Sequence, residues 1–229
     1  GAVREGENGP LLFEKKGDVA RVRGRVDRRP AVVLPSWLSE AAPEETRPPR
    51  PLAPSGSGED RTPYPPPKPG EIDAARRGTL LHLLFERLPG VAAAERAKAA
   101  DRWLETSGGI DDVPLRAFYA ATVCDIIQHT DFKDVFGESA LAEAPIAAVL
   151  PDGRVIAGTV DRLLVAETCV RVVDFKTGAF VPASAAEVPR AHVRQMEAYA
   201  EALRVIFPGR TVETALLYTS GPKMIALPG

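Results

Sequence analysis

The chain has 229 residues, 45% of them hydrophobic and 26% charged, with a formal net charge of −2. That composition suits a soluble globular protein with one full core and an extension, and its slightly acidic balance predicts weak unaided binding to phosphate backbones, with room for a local basic patch. No apolar run approaches the roughly 18 residues that span a bilayer, and no signal-peptide pattern opens the chain, so the expected location is the cytoplasm. Two cysteines, Cys124 and Cys169, argue against a disulfide framework.

Residues 1–70 differ from the rest. Residues 11–26 have the pattern of one or two short strands, but Pro30, Pro35 and the tract P-R-P-P-R-P-L-A-P-S-G-S-G-E-D-R-T-P-Y-P-P-P-K-P-G predict an extended linker with no regular structure. Within it, Leu34 to Ser39 form an apolar island in which Trp37 and Leu38 are expected to pack on a neighbouring surface. The domain reading is therefore a linker and tail over 1–70 and a folded domain over 71–229.

Residues 73–88 place Leu80, Leu81, Leu84, Phe85 and Leu88 at helical spacing, with His82 and Glu86 four apart on another face. Residues 92–106 and 114–128 continue as amphipathic helices with Trp103, Leu104, Phe118, Tyr119 and Ile126 as core candidates. His129 reads as a surface or cap residue, and residues 131–140 as a polar connection. A strand over 141–150 carries Glu143, and Pro151-Asp152-Gly153 has the chemistry of a turn into a strand at 155–157.

Residues 159–166 and 169–175 are β-branched apolar runs broken at Glu167-Thr168, the pattern of an antiparallel hairpin. Side chains on a strand alternate faces, so Asp174 and Lys176 point the same way as Val170 and Val172. Asp161 on the neighbouring strand reaches that face in one register, which the sequence leaves open. After Gly178 and a loop over 182–189, residues 191–207 form a helix with Val193, Met196, Ala200 and Leu203 toward the sheet. Gln195 and Tyr199, four apart, project together from it. A strand over 211–219 follows, and residues 224–227 suit an edge strand.

Asp174 and Lys176 admit two readings: a salt bridge at a strand end, or part of a cation site. His82 likewise reads as a structural histidine beside an apolar stripe or as a neutral nitrogen ligand. In the cation reading, carboxylates supply hard oxygen ligands for magnesium or manganese, and a lysine beside them orients water or steadies developing charge.

G-T-V-D-R at 158–162 followed by V-V-D-F-K-T-G at 172–178 resembles the core of the PD-(D/E)XK nuclease superfamily, in its RecB-like branch. R-G-T-L-L-H-L-L-F-E (77–86), A-E-A-P-I (142–146), Q-M-E-A-Y (195–199) and A-L-L-Y-T-S-G (215–221) extend the resemblance over roughly residues 70–225. It implies an α/β fold, a restriction-endonuclease-like mixed sheet flanked by helices. It implies His82, Asp161 and Asp174 as metal ligands with the Phe175 carbonyl as a fourth oxygen, and Glu143 supporting the metal shell. Lys176 would act on the attacking water, and Gln195 with Tyr199 would position the DNA strand or the lysine. Magnesium is the implied cofactor, with manganese as the alternative. Two cysteines cannot supply the four ligands of the iron-sulfur cluster that some RecB-like nucleases carry, so no cluster is expected.

The order L-P-S-W-L, P-R-P-L-A-P-S, R-G-T-L-L-H resembles the approach to the nuclease domain in AddA-type subunits of bacterial helicase-nucleases that process double-strand breaks. No G-x-x-x-x-G-K-[ST] phosphate loop is present, so the chain is not the ATP-driven motor. It reads as the C-terminal part of a longer protein. The implied partners are DNA, an AddB-type subunit and the helicase domains of the parent chain, with no membrane. The implied function is metal-dependent cleavage of DNA strands in end processing. The alternatives are a catalytically silent scaffold that docks a partner or DNA, and a free-standing nuclease acting on RNA or on another nucleic acid.

Overall fold

The computed structural model describes residues 3–4, 12–13, 35, 51–54 and 73–228. Contacts divide the chain into two units, Gly1–Thr46 and Arg47–Gly229. In the first, β1 (Val3–Arg4) pairs antiparallel with β2 (Leu12–Phe13). The remainder of the strand pattern at 11–26, the Trp37–Leu38 island and most of the proline tract lie outside the described residues.

In the second unit, helices α1 (Ala74–Arg87), α2 (Arg96–Thr106) and α3 (Val113–Gln128) precede three strands, β3 (Ala140–Val149), β4 (Val155–Val165) and β5 (Cys169–Lys176). Helix α4 (Arg190–Ile206) then leads to β6 (Thr211–Tyr218) and β7 (Lys223–Leu227). The sheet order is β3-β4-β5-β6-β7. Only β5 and β6 run parallel, and α4 supplies the crossover that a parallel pair needs. This mixed sheet flanked by helices is the restriction-endonuclease-like α/β architecture expected from the sequence. No helix among the described residues is long and apolar enough to cross a membrane.

Two apolar layers hold the sheet. On one face Val173, Phe175, Ala215 and Leu217 pack with Leu84, Phe85, Leu104 and Val123 of the first three helices. On the other, Val170, Val172, Leu216 and Ile225 pack with Met196, Tyr199, Ala200 and Leu203 of α4. The odd and even positions of β5 thus go to different layers, as period two requires. Each fully buried leucine in these layers contributes about 1.5–3 kcal/mol.

Local chemistry explains the element ends. The Asp73 carboxylate caps α1 by accepting from the Ala75 N–H at 3.1 Å, and Asp112 caps α3 by accepting from the Leu115 N–H at 2.8 Å. Gly153 turns β3 into β4 at φ +84°, a left-handed value that glycine adopts without strain.

Four expectations are corrected. The strands at 155–157 and 159–166 are one continuous β4, because Gly158 stays in register opposite Ile146. The connection at 131–140 is not simply polar: Phe132, Val135 and Phe136 are buried in the layer under α1–α3. Phe118 is 63% exposed, since the inward stripe of α3 is Tyr119, Val123, Ile126 and Ile127. Within the proline tract, Leu52 forms a parallel bridge to Ile156, donating to the Val155 carbonyl at 2.8 Å and accepting from the Ala157 N–H at 3.1 Å. The prolines flanking Leu52 leave its own N–H and carbonyl free to pair.

Candidate active site

The site lies where α1 and α4 meet the C-terminal end of β5. Helix α1 is anchored by Leu80, Leu81, Leu84 and Phe85, and Arg77 Nη2 donates to the Thr177 carbonyl at 3.2 Å just past β5. Gly78 allows this approach, because a Cβ there would stand 2.9 Å from Thr177 Oγ1. His82 is therefore carried to β4, where Nδ1 lies 3.1 Å from Asp161 Oδ1. The other oxygen, Asp161 Oδ2, accepts from the Phe175 N–H at 2.5 Å. Asp161 thereby joins α1, β4 and β5.

Glu143 stands on β3 opposite Asp161. Its neighbours Ala142 and Ala144 pair with Arg162 and Val160, while Glu143 itself has φ +46°, a left-handed value that costs a non-glycine residue energy. At the same level the alternation of β4 lapses, and Val160, Asp161, Arg162 and Leu163 are buried in succession. The result brings donor atoms of His82, Glu143 and Asp161 within 4.8 Å of one another. A cleft of about 380 Å³, lined by Gly78, Thr79, His82, Leu83, Glu86 and Glu143, opens beside them.

A second group continues from Phe175. Asp174 Oδ2 lies 2.8 Å from Lys176 Nζ, and Asp174 Oδ1 accepts from Gln195 Nε2 at 2.9 Å. Lys176 Nζ donates to Gln195 Oε1 at 2.7 Å. The Tyr199 hydroxyl, 3.4 Å from Gln195 Nε2, donates to the Thr159 carbonyl at 3.0 Å. One stripe of α4 thus holds the two charged side chains at the C-terminal end of β5 and is itself tied to β4. The shared direction of Asp174 and Lys176, and the joint projection of Gln195 and Tyr199, are as the strand and helix periods predict.

The electrostatics show an excess of negative charge. Burial, and then the charge of Asp161, push the Asp174 carboxyl up to about 6, and Lys176 and His82 counter this only in part. Burial and Asp161 also raise Glu143 above the ordinary carboxylate range. Burial pulls His82 down, but its hydrogen bond to Asp161 and the charges of Asp161, Asp174 and Glu143 outweigh it and leave the imidazole above its usual value. One imidazole and hard carboxylate oxygens within reach of one another, carrying uncompensated charge, fit a divalent cation of the magnesium or manganese kind.

Of the residues singled out in the sequence, His82, Glu143 and Asp161 come together as potential ligands. Asp174, Lys176, Gln195 and Tyr199 come together as a hydrogen-bonded chain beside them. Phe175 enters through its N–H on Asp161. His129 caps the end of α3 and is 45% exposed, as expected of a surface or cap residue. Three features were missed: Arg77, the buried Arg162, and the Tyr218 hydroxyl 3.4 Å from His192 Nδ1. Burial and the charge of Asp174 push Tyr218 up to about 12. Arg162 had a signal, a cation inside an apolar strand run; the other two depend on contacts between distant segments.

Comparison with solved structures finds similarity to one described as "Crystal structure of SSO0001", at 13% identity over 66% of this chain and 76% of that one, with a TM-score of 0.30. No curated protein matches the chain. Residues 59–223 match the family profile described as PD-(D/E)XK nuclease superfamily, a span that includes α1, strands β3 to β6, the first residue of β7 and every site residue described above, and the chain belongs to that superfamily.

Proposed function

We propose that the chain is a magnesium-dependent deoxyribonuclease of the RecB-like branch, acting as the nuclease module of an AddA-type helicase-nuclease during DNA end processing. The observation that carries the nuclease reading is the juxtaposition of His82, Glu143 and Asp161 with the Asp174-Lys176-Gln195 chain. The narrower assignment is supported by Gln195 and Tyr199, the pair that the RecB-like resemblance places after the lysine, and by the proline-rich approach to α1.

His82, Glu143, Asp161 and Asp174 would hold the cation, with the Phe175 carbonyl as a further oxygen. A bound divalent cation there lowers the pKa of water and polarises a phosphate oxygen. Lys176, fixed by Gln195 Oε1 and Asp174 Oδ2, supplies a positive charge and N–H donors that orient the attacking water and steady charge on the phosphate. Gln195 sets the position of that ammonium, and Tyr199 sets Gln195 through its tie to Thr159. The Phe175 N–H fixes the plane of the Asp161 carboxylate.

Matched single strands of DNA and RNA, end-labelled and incubated with magnesium, test the substrate. Cleavage of the DNA strand well ahead of the RNA strand supports the reading. Cleavage of RNA alone overturns the DNA assignment, and cleavage of neither, even with the helicase and an AddB-type subunit present, overturns the nuclease reading in favour of a silent scaffold.

A further inference from the structure

Beside Asp161 on β4 stands a cation that the scheme above does not use. Arg162 is 3% exposed. Its Nη2 donates to the Phe85 carbonyl at 2.5 Å, its Cζ lies 5.3 Å from the centroid of the Phe136 ring, and its Nε has no hydrogen-bond partner among the described residues. Burying a guanidinium with one donor unpaired is costly, and an apolar side chain of similar volume would fill the layer without that cost. Stability of the layer therefore does not account for the residue.

Its acceptor gives the reason. In α1 the Phe85 carbonyl would ordinarily receive the N–H four residues on, but that residue is Pro89, which has none. Arg162 supplies the missing donor from β4. His82 and Phe85 are three apart on one side of α1, while Asp161 and Arg162 are consecutive on β4. The same two elements are thus joined twice, by His82 to Asp161 and by Phe85 to Arg162, and two ties fix both the rotation and the height of the helix where one would leave it free to turn.

We propose that Arg162 is a positioning residue: it clamps the last turn of α1 to β4 so that the His82 imidazole stays on Asp161, presetting two ligands of the cation site. This rests on the metal-centre reading above. The charge of Arg162 alone would oppose a cation, so the clamp and a purely electrostatic role differ in sign.

The test is calorimetric titration of Mn²⁺ into the metal-free chain, for wild type, Arg162→Lys and Arg162→Met, alongside NMR of the His82 imidazole before metal is added. Lysine keeps the charge and loses the forked, planar donor. Both variants are expected to bind Mn²⁺ about 10–100-fold more weakly, the range for groups that orient metal ligands, and to shift the His82 resonances in the metal-free protein. In a His82→Ala background the lysine substitution is expected to add less than about twofold, because no ligand is left to position.

Mn²⁺ binding and His82 resonances unchanged in the lysine variant, tighter binding in the methionine variant, or an equal loss in the His82→Ala background would each overturn the clamp. Absence of Mn²⁺ binding by wild type would count against the metal-centre reading, and the metal-free His82 spectra would still decide the clamp. If the Arg162 variants do not fold, Phe136→Leu removes the ring under the guanidinium, together with its stacking on Phe85 and Phe175, and leaves Arg162 itself in place. It is expected to move the His82 resonances and weaken Mn²⁺ binding in the same direction, and no change in either overturns the proposal.

Discussion

Replacing Lys176 with methionine preserves the length of the side chain and removes its charge. Because the ammonium touches one of the four proposed ligands, Asp174, and is otherwise held by Gln195, the expected result is a loss of about 10²–10³-fold in single-turnover cleavage, with Mn²⁺ affinity changed far less. An equal loss of metal affinity would show that Lys176 shapes the ligand set instead. Protonation gives a second prediction. Asp174 and His82 both have folded-state values above their ordinary ones, so the metal-free folded state holds these protons more tightly than the unfolded chain. The stability they contribute is present at low pH and lost as pH rises, for Asp174 between its unfolded value of 3.8 and about 6. Magnesium competes with those protons. It should therefore raise the melting temperature clearly at pH 8 and little at pH 5, measured in the same buffer series; a metal effect independent of pH would contradict the assignment.

At the scale of the elements, the apolar pattern located α1, α3, α4 and the β5 and β6 strands to within a residue or two, because each helix buries one apolar stripe and the two strands, buried on both faces, are near-continuous apolar runs. It failed where burial was not periodic. The aromatic residues of 131–140 sit in a connection with no repeat, and β4 is buried on successive positions at Asp161. The register that brings Asp161 to both His82 and Phe175 could not be read from the strand sequences, since it needs both the β4–β5 pairing that sets Arg162 opposite Val173 and the docking of α1 on β4, which joins residues 79 apart in the chain. The shared placement of Asp174 and Lys176 was legible because a charged pair at alternate positions stands at the end of a largely apolar strand. Arg162 interrupts the neighbouring strand just as plainly, but its acceptor is a helix carbonyl whose proline lies four residues further on. Two substitutions probe the elements. Leu84→Ala, at a position 1% exposed between α1 and the sheet, should cost about 2–5 kcal/mol in denaturant unfolding. Tyr199→Phe, which removes the tie from α4 to the Thr159 carbonyl, should cost about 0.5–1.5 kcal/mol and reduce cleavage, because Gln195 loses its neighbour.

For the whole molecule, a net charge of −2 sets the expectation for substrate binding. A protein that neutralises six to ten phosphates loses about 10³–10⁵ in affinity between 50 and 200 mM salt. This chain should bind single-stranded DNA weakly and with a far shallower salt slope, as the proposal that a helicase delivers the strand requires. The central claim concerns chemistry at the end of β5. It is tested most directly by incubating end-labelled single-stranded DNA with the chain and magnesium, with and without EDTA, beside Asp174→Ala. The account predicts cleavage that EDTA abolishes and that the alanine variant lacks. Cleavage that survives EDTA, or that Asp174→Ala carries out as fast as wild type, would contradict it.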